Sequence, residues 1–273
     1  MDFKLSNGVV IPGIGFGTWQ IKPEDAYEAT KNAIKNGYRH IDTAYAYQNE
    51  EGVGKAVKDS GILRKEFFIT TKLPSDIKTY DGTIDHFYQS LKNLDTDYID
   101  LYLIHAPWPW SNVGMDCTEG NIEAFRAMID LYNKGVVRSI GVSNFRPENI
   151  EPLIKALNFV PHCNQIRFFI GNTQPEVYKY CKENNILIEA YSPLATGNLL
   201  KDPTIVEMAK KYNVEPSQLA IRYCVECGTL PLPKSTNSER QKLNMSLDFE
   251  ISSSDMEILN RVHNKELDRP LRS

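Results

Sequence analysis

Cysteine is scarce in this 273-residue chain, and the five present, Cys117, Cys163, Cys181, Cys224 and Cys227, are scattered and odd in number. That excludes a disulfide framework and fits a reducing compartment. Cys224-Val225-Glu226-Cys227 has C-x-x-C spacing, yet no second pair accompanies it and it lies late in a helical stretch, residues 217–226. It reads as two ordinary helix cysteines. No apolar run approaches the ~20 residues of a membrane span, and Met1-Asp2-Phe3-Lys4-Leu5 lacks the apolar core of a signal peptide, so a cytoplasmic protein is expected. A net charge of −4 lacks the basic surplus of a nucleic-acid binder. No linker or composition shift divides the chain, which reads as one domain, 1–273; nothing in it demands more than a monomer. Also missing is G-x-G-x-x-G. Gly13-Ile14-Gly15-Phe16-Gly17 has other spacing and no helix follows at once, which weighs against a doubly wound dinucleotide fold.

What is present is alternation. After a short hairpin signal, Asn7-Gly8 between Phe3, Leu5 and Val9, Ile11, apolar strand-like runs alternate with amphipathic helical ones. The strands are expected at 15–18, 39–42, 67–72, 99–105, 139–143, 162–166, 187–191 and 229–233. The helices are expected at 24–36, 51–60, 83–94, 121–134, 147–157, 174–184, 216–226 and 238–247. Eight β/α pairs over this length predict a (β/α)8 TIM barrel, an α/β fold, its bottom plugged by the N-terminal β-hairpin. Two extra helices, 203–212 and 254–262, exceed the count.

Three successive strand runs end on titratable groups: Asp42 with Tyr47 one turn beyond, Lys72, and His105. In a barrel these converge on the C-terminal rim, where the chemistry of such folds resides. The four suit a carbonyl that accepts a hydride. Tyr47 can give the developing alkoxide a proton, although a phenol near pKa ~10 is a weak acid at neutral pH. An ammonium at Lys72 is expected to favour the phenolate, Asp42 to hold that ammonium in place, and a neutral His105 to orient the substrate oxygen. No metal is required, and Lys72 would repel a dication. A barrel hydrolase or isomerase using Asp42 and His105 is the rival on fold alone. The absence of G-x-S-x-G and of a metal-ligand cluster disfavours it.

The block Gly37-Tyr38-Arg39-His40-Ile41-Asp42-Thr43-Ala44-Tyr45-Ala46-Tyr47-Gln48-Asn49-Glu50 closely resembles the signature of the aldo-keto reductases. Further blocks follow in the family's order: Tyr98 to His105, Gly141-Val142-Ser143-Asn144-Phe145, and Leu232-Pro233-Lys234-Ser235. The resemblance runs from about Phe3 to Val262. It implies a (β/α)8 barrel, NADPH-dependent carbonyl reduction, Tyr47 as proton donor, and Asp42, Lys72 and His105 as its partners. A second branch of the same family uses the barrel as an NADPH-binding sensor with slow turnover; the intact set of four favours the enzyme.

The resemblance also implies an extended nicotinamide dinucleotide held by Thr18, Trp19, Asp42, Ser143, Asn144, Gln165, Tyr191, Ser192 and Leu194. The amides of Asn144 and Gln165 suit a carboxamide, each offering donor and acceptor together, and Tyr191 would stack on the nicotinamide. Lys234-Ser235-Thr236-Asn237-Ser238-Glu239-Arg240 opens the eighth helix, where cations do not complement the dipole and so ask for an anion. A 2′-phosphate on Lys234, Ser235 and Arg240, with Thr236 nearby, fits NADPH rather than NADH. Asn244 matches a family adenine contact, preceded here by Leu243 where relatives have an acid. On the substrate side Trp19, Tyr47, His105 and Trp108 are expected to wall the pocket. Ala106 follows His105 where family members often have Trp, and Trp108 or Trp110 can replace that wall. Arg167-Phe168-Phe169 stands where the family has Glu-Tyr-His, and an Arg167 facing the pocket would favour an anionic substrate. The short tail, 264–273, resembles that of the compact microbial branch, which acts on small aldehydes, dicarbonyls and keto-sugars.

Overall fold

Residues 2–263 are described in a computed structural model of the chain. The tail on which the expectation of a compact branch partly rests, 264–273, lies outside them. Strands β1 (Asp2–Lys4) and β2 (Val10–Pro12) form the predicted hairpin. Its turn is clasped by Leu5 N–H donating to Val9 O at 2.9 Å, and Asn7 Nδ2 donates to Arg138 O at 3.0 Å, tying the turn to the barrel floor.

Eight parallel strands follow: β3 (Gly15–Gly17), β4 (His40–Asp42), β5 (Phe68–Leu73), β6 (Ile99–Ile104), β7 (Val137–Ser143), β8 (Cys163–Arg167), β9 (Leu187–Tyr191) and β10 (Leu230–Leu232). They are ordered β10-β9-β8-β7-β6-β5-β4-β3. Gly17 N–H donates to Pro233 O at 3.0 Å, bringing the two ends of that sheet together. The helices of the β/α units are α1 (Pro23–Lys35), α2 (Glu50–Asp59), α3 (Tyr80–Leu94), α4 (Thr118–Asn133), α5 (Pro147–Leu157), α6 (Pro175–Glu183), α8 (Pro216–Glu226) and α9 (Ser238–Met245). The two surplus helices are α7 (Pro203–Lys211), started by the Asp202 side chain accepting from Thr204 N–H, and α10 (Ser253–Asn260). Asp255 joins them through Lys211 Nζ at 2.7 Å.

Strand alternation sorts the side chains into two cores. Tyr102, Ile104, Ile140, Val142, Ile166 and Ala190 point outward against the helices. Phe68, Leu101, Leu103, Cys163, Leu230 and Leu232 point inward and meet Leu5 and Ile11 of the hairpin. Burying each such side chain contributes about 1.5–3 kcal/mol. Counting by twos toward the C-terminal ends changes the chemistry. Phe68 is followed on the inner face by Thr70 and Lys72, His40 by Asp42, Cys163 by Gln165 and Arg167, and Leu187 by Glu189 and Tyr191. The interior is apolar at the hairpin end and ionisable toward the mouth, so the alternation itself aims the site.

Candidate active site

Asp42 closes β4, and the chain then turns through Thr43 and Ala44 into a single 3-10 turn, Tyr45–Tyr47. Gln48, at φ 56°, ends it. Asn49 locks this loop: its Nδ2 donates to Thr18 O and Ile21 O, both at 3.0 Å, and its Oδ1 accepts from Thr43 Oγ1 at 2.7 Å. Tyr47 is thereby held half-buried at the rim. Beneath it lies a buried ion pair, with Lys72 Nζ donating to Asp42 Oδ1 and to Thr43 O, each at 2.7 Å. An ammonium has three N–H groups. The third makes no hydrogen bond among the described residues, and the nitrogen sits 5.1 Å from the centre of the Tyr47 ring. His105 faces Tyr47 edge-on, ring centres 5.5 Å apart. The structure thus brings Asp42, Tyr47, Lys72 and His105 together at one end of the barrel.

Their electrostatics differ from expectation in one respect. Loss of solvent, followed by the Asp42 carboxylate, holds the Tyr47 phenol well above its ordinary value. The acidifying effect expected of Lys72 is offset because that ammonium is already committed to Asp42. A phenol so placed stays protonated and gives up its proton only to a stronger base, such as a forming alkoxide. His105 is pushed down to about 3 by burial and by the Lys72 and Lys78 charges, so it is neutral. Its Nδ1 is buried without a partner. A bare acceptor is the cheaper orphan, which puts the N–H on Nε2.

The other predicted positions fall into three groups. Around the mouth, Gln165 Nε2 donates to Asp42 Oδ1 at 2.7 Å, and Tyr191 Oη donates to Asn144 Oδ1 at 2.7 Å. Asn144 Nδ2 reaches His105 O at 3.0 Å and Ser143 Oγ at 3.1 Å, while Thr18 Oγ1 is bonded to Asp42 O at 2.9 Å. The Thr18 and Ser143 hydroxyls therefore face the sheet and shape the rim. The second group is the loop after β9. Ser192, Ala195 and Thr196 all have positive φ, and Leu194 lies between them. Such geometry is uncommon for non-glycine residues, and three of them within residues 192–196 set this loop apart.

The third group surrounds the start of α9. Lys234, Thr236 and Arg240 are exposed, Ser235 and Asn244 are buried, and neither Lys234 nor Arg240 forms an ion pair among the described residues. Asn237, unassigned from sequence, caps α9 by accepting from Arg240 N–H at 3.0 Å. Unpaired cations, a capped helix start and a free carboxamide acceptor on Gln165 fit a phosphorylated dinucleotide laid across the mouth.

On the substrate side Trp19 is exposed at the rim. Trp108 packs edge-on against Trp110 at 4.9 Å, and Trp110 reaches the His105 ring at 6.1 Å, so Trp110 is the nearer wall. Lys78 was not singled out in the sequence, yet its Nζ donates to Ala106 O and Asn121 Oδ1, both at 2.7 Å, pinning the loop after His105. Arg167 shares the inner face of β8 with Gln165, stacks over Phe169 at 5.1 Å, and its charge is felt by the Tyr191 phenol. Cys224 and Cys227 are free, and burial pushes both thiols up, as suits inert helix cysteines. Among the described residues, no cluster of three or more His, Cys, Asp or Glu side chains is placed to hold a metal, and no helix is long and apolar enough to cross a membrane.

Residues 13–264 match the model of the aldo/keto reductase family. The chain belongs to that family. It is 40% identical over 265 residues to glyoxal reductase of Bacillus subtilis, spanning 96% of this chain and 93% of that protein. The crystal structure of an aldo/keto reductase from Brucella melitensis superposes with a TM-score of 0.90 at 42% identity, covering 98% and 99% of the two chains. A mutant of Gox0644 in complex with NADPH superposes at 0.92 with 34% identity, covering 100% and 97%.

Proposed function

We propose that this NADP-dependent oxidoreductase of carbonyl compounds reduces small aldehydes, dicarbonyls or keto-sugars to alcohols, with Tyr47 as the proton donor. The observation that carries the reading is the buried Asp42–Lys72 pair, 2.7 Å apart, beneath a protonated Tyr47 and facing a neutral His105. NADPH, when bound, supplies the hydride. Every remaining task falls to side chains. His105 Nε2–H donates to the carbonyl oxygen and polarises the C=O bond. Tyr47 Oη passes its proton to that oxygen as charge develops there, and the uncommitted N–H of Lys72 stabilises the phenolate left behind. Asp42 holds Lys72 in place through their 2.7 Å contact.

Gln165, through its free Oε1, and Tyr191 would hold the nicotinamide end of the dinucleotide, and the loop 192–197 would hold its pyrophosphate. Lys234 and Arg240, with Ser235 and Thr236, would hold the 2′-phosphate, and Asn244 the adenine. Trp110, beside His105, with Trp108 packed on it and Trp19 at the rim, would supply aromatic walls for a small carbonyl compound.

The test is loss of NADPH absorbance with methylglyoxal, nitrobenzaldehyde and diketogluconate. At least one should turn over, and Tyr47→Phe should lower kcat by about 10²–10⁴ while leaving NADPH affinity within twofold. Inertness toward the whole panel with tight NADPH binding would replace this reading with the sensor one.

A further inference from the structure

Glu189 is a carboxyl group with no solvent exposure, on the inner face of β9 directly beside Gln165 in the strand register. Inner layers of such barrels are ordinarily filled by branched apolar side chains, which cost nothing to desolvate. A carboxyl there must be explained by its contacts. Gln165 Nε2 donates to Glu189 Oε2 at 2.8 Å and to Asp42 Oδ1 at 2.7 Å, so both amide hydrogens of one side chain are claimed by carboxyl groups on opposite sides. The other oxygen, Oε1, is buried without a hydrogen-bond partner and lies 3.5 Å from His40 Nε2, an atom already engaged with Thr70 Oγ1 at 3.1 Å. A fully used structural ion pair would not leave an oxygen orphaned. What Glu189 does achieve is geometric: a flipped Gln165 amide would give up both of these hydrogen bonds and press its oxygen against the Asp42 carboxylate.

We propose that Glu189 is a positioning residue, which with Asp42 clamps the Gln165 amide and fixes its Oε1 as a one-way acceptor for the carboxamide N–H of the nicotinamide. This rests on the dinucleotide reading above and extends it to a residue that touches neither cofactor nor substrate. The clamp makes the site selective for a nicotinamide bearing an N–H donor.

The experiment uses the full-length protein and measures binding, by quenching of tryptophan fluorescence, of NADPH and of its 3-acetylpyridine analogue. In that analogue a methyl ketone replaces the carboxamide and offers no N–H. Wild type should prefer NADPH by about tenfold, the worth of one well-placed hydrogen bond. Glu189→Gln, which keeps an acceptor at the same place, should retain the preference. Glu189→Met, of similar volume without an acceptor, should bind NADPH about tenfold more weakly yet bind the analogue within twofold of wild type. Equal weakening toward both ligands, or an undiminished preference, overturns the clamp. Should Glu189→Met not fold, Glu189→Asp withdraws the carboxyl by one methylene and must lose the preference; if it does not, the clamp is wrong. A wild type that binds neither ligand sinks the dinucleotide reading itself, whereas a wild type that binds both equally sinks only the clamp.

Discussion

Replacing Glu189 by glutamine should make the protein's stability less sensitive to pH, in a window set by its surroundings. Burial, followed by the Asp42 charge, pushes the Glu189 carboxyl up from its ordinary 4.5 to about 8, with Gln165 and Lys72 pulling the other way. The groups that face it are Asp42 and His40 from β4, Lys72 from β5, and Cys163 and Gln165 from β8. His40, pushed down to about 3, is neutral and supplies no compensating charge. Below pH 4.5 the folded and unfolded chains both hold this proton, so it contributes no slope. Between 4.5 and 8 the unfolded chain releases it while the folded chain keeps it, and stability falls as pH rises. The slope is about 1.4 kcal/mol per pH unit, and about 5 kcal/mol over the window is the ceiling, since Lys72 can shift toward the new charge. Glutamine does not titrate. Urea unfolding of both proteins at pH 5, 6, 7, 8 and 9 should therefore show the variant gaining on wild type up to pH 8 and no further, other groups cancelling in the difference. Parallel stability curves would refute the argument, because they would mean that residue 189 ionises alike in the folded and unfolded chains.

Arg240→Ala should raise the Kd for NADPH about tenfold and leave that for NADH unchanged, since only the former carries the 2′-phosphate; calorimetry distinguishes the two. Because His105 is held near 3, its ionisation should leave no limb in the kcat/KM profile between pH 5 and 8. A limb near 6.5 that vanishes in His105→Gln would contradict that. Gly141→Ala should lower Tm without altering NADPH affinity, because a Cβ there would stand 2.4 Å from Cys163 O. A backbone clash of that kind costs about 1–3 kcal/mol, or roughly 3–10 °C for a chain this size.

Much of this fold could be read before any coordinates because its elements carry separate signals. The strand at 187–191 and the helices at 147–157 and 216–226 lie where the periodicity puts them. Both surplus helices are present, each within a residue or two of its expected ends. Differences gather at element ends. The first and last strands run three residues each, Gly15–Gly17 and Leu230–Leu232, shorter than the apolar runs that mark them. Apolar character reports burial, which extends past ladder pairing at either end of a strand: Thr18, just after β3, and Thr229, just before β10, are both buried.

The site was legible where chemistry and position coincide, and opaque where a residue acts through another. Asp42, Lys72 and His105 announce themselves as charges or imidazoles ending apolar strands. Asn49 and Lys78 do not, since an amide in a loop or a lysine before a helix is ordinary until its partners are known. Glu189 lies between these cases. Within Leu187-Ile188-Glu189-Ala190-Tyr191 it is the sole charged residue, and it has the same parity as Tyr191, which already pointed it into the barrel. Parity alone could have named it as a buried acid. Its role needed the distance to Gln165, because an inward carboxyl on its own is equally a ligand, a base or an ion-pair partner. The Tyr47 phenol teaches the converse. Sequence supplied the ammonium but not its prior engagement: the Asp42 carboxylate bonded to it at 2.7 Å acts on the phenol with the opposite sign. Under the function proposed above, the Tyr47 proton would become mobile through the charge that develops on the substrate oxygen, since burial and Asp42 keep the phenol from being acidic at rest.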